Sequence, residues 1–121
     1  MRSAAQVYGK VAKQTASPRE LEANLLLRAA ARFQAVRDSG AGDDTEFDAA
    51  LLFNRKLWSI FLTSVTEASS PLPTEVRQNI ANLGLFVMNR TVVLSQDRQR
   101  DGLASLILIN RELAAGLLGR A

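Results

Sequence analysis

What this chain lacks narrows its chemistry first. It has no histidine and no cysteine. The commonest general base, the commonest metal ligand and any thiolate nucleophile are therefore missing. Its glycines do not gather into a phosphate-cradling loop. No carboxylate-rich metal motif is present, and no serine has a histidine to activate it. The carboxylates stand at expected helix starts and in one acidic stretch, where capping accounts for them. No catalytic, cofactor-binding or metal-ligating residue is assigned, and an enzyme is not expected.

The polar residues that stand out are amides. Asn54 and Asn110 each fall within an apolar helical stripe, and each is followed by arginine, as Asn54-Arg55 and Asn110-Arg111. A buried asparagine needs partners for both its N–H groups and its carbonyl. Two readings are open: a satisfied contact between helices that fixes their register, or a polar clamp inside a partner-binding groove. Trp58 has the same duality, as core aromatic or interface anchor. Glu22 sits in an apolar arc, which is unusual for a carboxylate. A structural ion pair is expected there, with Arg77 as the candidate partner.

Helices must position all of these. The stretch PLPTEVRQNIANLGLFVMNRTVVL, Pro71 to Leu94, reads as one helix over about 73–95. It carries no charge between Arg77 and Arg90, a span of roughly 20 Å. Val76, Ile80, Leu83, Val87, Thr91 and Leu94 make one stripe, and Leu85, Met88 and Val92 a second. Amides (Gln78, Asn82, Asn89, Gln96) fill the narrow remainder. A helix apolar over most of its circumference is usually interior, so this one is expected at the centre. Gly84 lies in its densest stripe and predicts a close neighbour.

Around it the pattern predicts a first helix from Ser17-Pro18 to about Ser39, with a capping residue, proline at the first position and Glu20. A second runs over about 46–67, and a last over about 101–118. Gly40 can end the first helix. Residues 3–15 form a short amphipathic segment, with Ala4, Val7, Tyr8 and Val11 on one face and Gln6, Lys10, Lys13 and Gln14 opposite. At this length it must dock to persist. It reads as a packing arm, or as a movable arm that covers a groove. The expected fold is all-α: one domain over 1–121, a compact bundle of four to five helices, with 1–16 as a docking or mobile arm.

The net charge of +3 is unevenly spread: residues up to Arg37 are basic, and Asp38 to Asp48 hold five carboxylates and no base. Solvated helix ends with one acidic loop, or a basic face for RNA or an acidic partner, both fit. Aromatics do not interleave with the basic residues as a base-stacking surface would want. No apolar run approaches the ~18 residues of a membrane span, and no signal-peptide pattern opens the chain. A cytosolic protein is expected.

The segments SPRELEANLLLRAAARFQAVRD, ALLFNRKLWSIFL, LPTEVRQNIANLGLFV and LINRELAAGLL together resemble FlaF, the flagellar biosynthesis regulator family of alphaproteobacteria. The resemblance covers about residues 6–118 and rests on several ordered segments. It implies a cytoplasmic, non-enzymatic protein needed for flagellin production and export. It also implies flagellin as a partner, bound as by a secretion chaperone through an amphipathic helical segment. A second implied partner is FlbT, which represses flagellin mRNA translation and which FlaF opposes. Direct nucleic-acid binding ranks below both. The family supplies no catalytic residues. The matching positions nominated for partner binding are Asn54, Arg55, Trp58, Arg77, Asn79, Asn82, Asn110 and Arg111. Asp38 to Asp44 and Gln96 to Gly102 match no segment with an assigned role.

Overall fold

The computed structural model describes residues 17–40 and 44–120. Within them the chain forms α1 (Pro18–Asp38), α2 (Asp44–Thr66), α3 (Thr74–Gln96), a single 3₁₀ turn (Arg100–Gly102) and α4 (Leu103–Leu117). No strand occurs among the described residues. The all-α bundle is as the periodicity predicts, and each helix lies within two residues of its expected limits. The segment 3–15 and the tip of the first loop fall outside the described residues.

Local chemistry sets the ends. The Ser17 hydroxyl accepts the Glu20 backbone N–H at 3.1 Å, with Pro18 at the first helical position. That satisfies one of the donors a helix start leaves open. At the other end of α1 the chain enters a left-handed conformation at Gly40, φ +69°. A side chain there is strained, and the helix stops.

Two arginines hold the free carbonyls of preceding helices. Arg100 donates to the Val36 carbonyl near the end of α1 at 2.8 Å, and its guanidinium lies 5.9 Å from the Phe47 ring centroid. Arg77 donates to the Glu67 carbonyl just past α2, and to the Thr74 hydroxyl, both at 3.2 Å. Arg98 forms a two-pronged pair with Asp48, 2.9 and 2.8 Å, and reaches Asp44 at 3.6 Å. The acidic stretch and the polar stretch at 96–102 thus meet at one end of the bundle. Hydrogen bonding to Arg98 holds the Asp48 carboxyl below the usual range. These contacts put the end of α1, the start of α2 and the end of α3 together. The helices therefore alternate in direction, as short loops require.

The hub is α1, not the helix at 73–95. It packs most extensively on α4 and also on α2. Ala23, Ala30 and, on α4, Ala114 are fully buried with nothing beyond a Cβ to hold the helices apart. Leu26 and Phe33 of α1 fill the space between them. The expectation of a central α3 is corrected here: α3 packs on α2 and scarcely approaches α1 or α4. It buries one stripe, Ile80, Gly84, Val87, Thr91 and Leu94. The absence of charge over its middle predicted burial all round. Charge-free is not the same as covered, and α1 with its alanines packs more closely on α4 than the wider α3 could.

Close approach explains Gly84. A Cβ built there would sit 2.6 Å from both δ-methyl carbons of Leu62 on α2. Gly84→Ala is expected to destabilise by about 1–2 kcal/mol, because overpacking outweighs the gain in helix propensity of about 1 kcal/mol. In urea denaturation, Leu62→Ala introduced into the Gly84→Ala background should recover part of that loss. In the wild-type background the same change should cost about 2 kcal/mol or more.

Candidate functional site

Of the nominated residues, three form a ladder in the interior. Trp58 Nε1–H donates to Asn110 Oδ1 at 3.0 Å, and Asn110 Nδ2–H donates to Asn54 Oδ1 at 2.7 Å. All three side chains are 0% exposed. Indole can only donate, so Asn110 must turn its carbonyl to Trp58 and its amide N–H to α2. Asn54 must then answer with its carbonyl. Asn54 and Trp58 are one helical turn apart on α2, and Asn110 reaches both from α4. The ring of Phe61 meets Trp58 edge to face at 5.6 Å. Of the two readings, the interhelix contact that fixes register is the one present. In this fold the ladder offers no surface to a partner. Its far end, Asn54 Nδ2, has no hydrogen-bonding group of the protein in reach.

The remaining nominees lie on the surface or at its edge. Arg55 is exposed on α2, and Arg77 is half-buried at the α2–α3 turn. Asn79 and Asn82 are exposed on α3, with Asn82 accepting from Gln78 Nε2 at 3.2 Å. Arg111 is exposed on α4, apart from the others. Arg77 is not the partner of Glu22, because its guanidinium is engaged at Glu67 and Thr74. Burial pushes the Glu22 carboxyl above its ordinary range, with Arg19 pulling it partly back.

Arg55 and Arg77 mark the two ends of a seam between α2 and α3. At one end a depression of about 200 Å³ is lined by Leu52, Arg55, Thr91 and Ser95 among others. At the other, one of about 230 Å³ is lined by Thr66, Thr74, Arg77, Gln78 and Ala81. Helical phase puts Leu85, Met88 and Val92 on the flank of α3 between them. Leu85 is 71% exposed, Val92 55% and, across the seam, Leu52 44%. The amides Gln78, Asn82, Asn89 and Gln96 run along the outer edge. Leu85, Val92 and Leu52 were not nominated from the sequence. Only Leu85 lies in the charge-free gap between Arg77 and Arg90, a signal that pointed equally to an interior helix.

Among the described residues no cluster of histidine, cysteine, aspartate or glutamate could hold a metal ion, and no helix is long and apolar enough to cross a membrane. Among the described residues the fold presents a small helical bundle with a polar-pinned core and one edge helix with exposed apolar flanks. The family model of flagellar protein FlaF matches residues 4–117. The chain belongs to the FlaF family and is a flagellar protein. No curated protein and no solved structure matches it.

Asn110→Ala is expected to cost about 3 kcal/mol or more in urea denaturation, because Trp58 Nε1–H and Asn54 Oδ1 are both stranded without water. Loss of the hydrogen bond should also shift the Trp58 emission to the blue if the site stays dry. Glu22 gives a second test. Its folded-state pKa is raised, so its contribution to stability is present at low pH and lost as pH rises through the folded value. Glu22→Gln should therefore raise the melting temperature at pH 7, and the gain should vanish as pH falls below the glutamate range.

Proposed function

We propose that this protein is a non-enzymatic, cytoplasmic regulator of flagellar biosynthesis that binds flagellin as an export chaperone. It receives an amphipathic helical segment of flagellin along the α2–α3 seam. The observation that carries this is the uncovered flank of α3, with Leu85 and Val92 more than half exposed. Helix-in-groove recognition needs such a strip, with anchors of the partner at helical spacing and a polar rim to orient it. Here the rim is Arg55 and Arg77 at the two ends and the amides Gln78 and Asn82 along the outer edge. Family membership supplies the flagellar context. The seam supplies a surface matched to a helix that stays unpolymerised before export.

The test is titration calorimetry of the full chain with soluble flagellin, and separately with FlbT, at moderate salt. Micromolar or tighter binding to flagellin with a negative heat-capacity change is expected. The double variant Leu85→Ser/Val92→Ser should weaken that binding by about a hundredfold. Each side chain contributes about 1–1.5 kcal/mol when covered, or about tenfold. Because both project into solvent, the melting temperature should hold. Binding to FlbT without flagellin would move the role to relief of translational repression. Steep weakening with salt would point to phosphate contacts and an RNA ligand.

A further inference from the structure

The flank of α3 opposite the seam carries a seven-residue rhythm. Val76, Leu83 and Arg90 recur at one position of it, and Asn79, Phe86 and Val93 at another, three residues on. Residues at these two positions make a continuous strip of the kind along which helix packs on helix. Val76, Leu83, Phe86 and Val93 stay 37–45% exposed, so packing among the described residues leaves the strip partly uncovered. Its charges stand near its two ends. Glu75 adjoins the first residue, and the Arg90 guanidinium lies 5.4 Å from the Phe86 ring centroid. We propose that a second copy of this chain docks here, α3 against α3, antiparallel about a two-fold axis.

Complementarity of the strip with itself selects this occupant. In the antiparallel register centred between Gly84 and Leu85, every residue of the strip meets a match. Val76 meets Val93 of the second copy, Leu83 meets Phe86, and Asn79 meets Arg90. By symmetry each contact occurs twice. The Asn79 carbonyl accepts from that guanidinium, and Glu75, one turn before Asn79, is within reach of the same group. A slide by one heptad in either direction leaves residues of the strip unmatched and sets a polar side chain against an apolar one. A parallel pair would set Arg90 against Arg90, a like-charge contact that opposes association. The strip is short, so the dimer is weak and reversible, with a Kd on the order of 10–100 µM. Helical phase keeps Leu85 and Val92 on the far flank, so the α2–α3 seam stays open and the dimer does not rest on flagellin binding.

The test is sedimentation velocity of the full chain from about 5 µM to about 1 mM, a range that brackets the expected Kd. A monomer–dimer equilibrium is expected. Arg90→Glu sets a carboxylate near Glu75 of the second copy, and Glu75→Arg sets a guanidinium near its Arg90. Each clash occurs twice per dimer, so each variant should weaken association by about tenfold or more. The double variant Glu75→Arg/Arg90→Glu should return to within about threefold of wild type, because both pairs re-form with their signs exchanged. The two positions are about 22 Å apart along one helix, so this rescue can arise only between copies. Circular dichroism checks that the variants are folded. The seam variant Leu85→Ser/Val92→Ser should associate as wild type. A chain that stays monomeric at the highest concentration overturns the proposal. So does a dimer that ignores the charge reversals, that the double variant fails to restore, or that the seam variant abolishes, since the second copy would then sit elsewhere.

Discussion

The bundle depends on a short chain of hydrogen bonds in its driest part. Trp58 donates to Asn110, and Asn110 donates to Asn54. Burying these groups unpaired would cost several kcal/mol, so α2 and α4 must meet in the one register that pairs them. An apolar core of leucines tolerates sliding by a turn. This one does not, because a slip of one turn strands the indole N–H and two amide groups. The ladder therefore selects a single packing among several that hydrophobic burial alone would accept.

That selection has a geometric consequence for α3. The ladder draws α4 across to α2, and the alanines of α1 and α4 bring those two helices close. α3 is left to pack chiefly on α2, closing the core with Ile80, Val87 and Leu94, with Gly84 admitting Leu62 into its surface. One stripe of α3 suffices for that contact. Two flanks, both apolar, remain uncovered. The same sequence feature that suggests an interior helix becomes, in this packing, a surplus of sticky surface.

Three arginines act at the ends of the helices. Arg77 and Arg100 hold carbonyls beyond α2 and at the end of α1, and Arg98 ties the start of α2 to the loop after α3. Arg77 and Arg100 each satisfy a backbone carbonyl that would otherwise need water. This leaves the flanks of α3 as the part of the molecule whose apolar composition is not explained by packing among the described residues.

By itself the sequence determined the helices, their limits and the caps at Ser17 and Gly40, because these follow from nearest-neighbour chemistry and the 3.6-residue period. It marked Asn54 and Asn110 as residues needing partners, and Gly84 as a place of close approach. Segments along nearly the whole chain carried the likeness to FlaF. What it left open was which partner each had. Trp58 as the shared donor, Leu62 against Gly84, Arg98 between the two unplaced stretches and Glu67 as the acceptor of Arg77 all join positions distant in the chain or outside any periodic pattern. Periodicity reports which faces are apolar and is silent on which of them find a neighbour. The placement of α3 at the edge, with its flanks free, was decided by tertiary packing, where alanine-lined close approach and a buried amide ladder outcompeted a longer and more apolar helix for the centre.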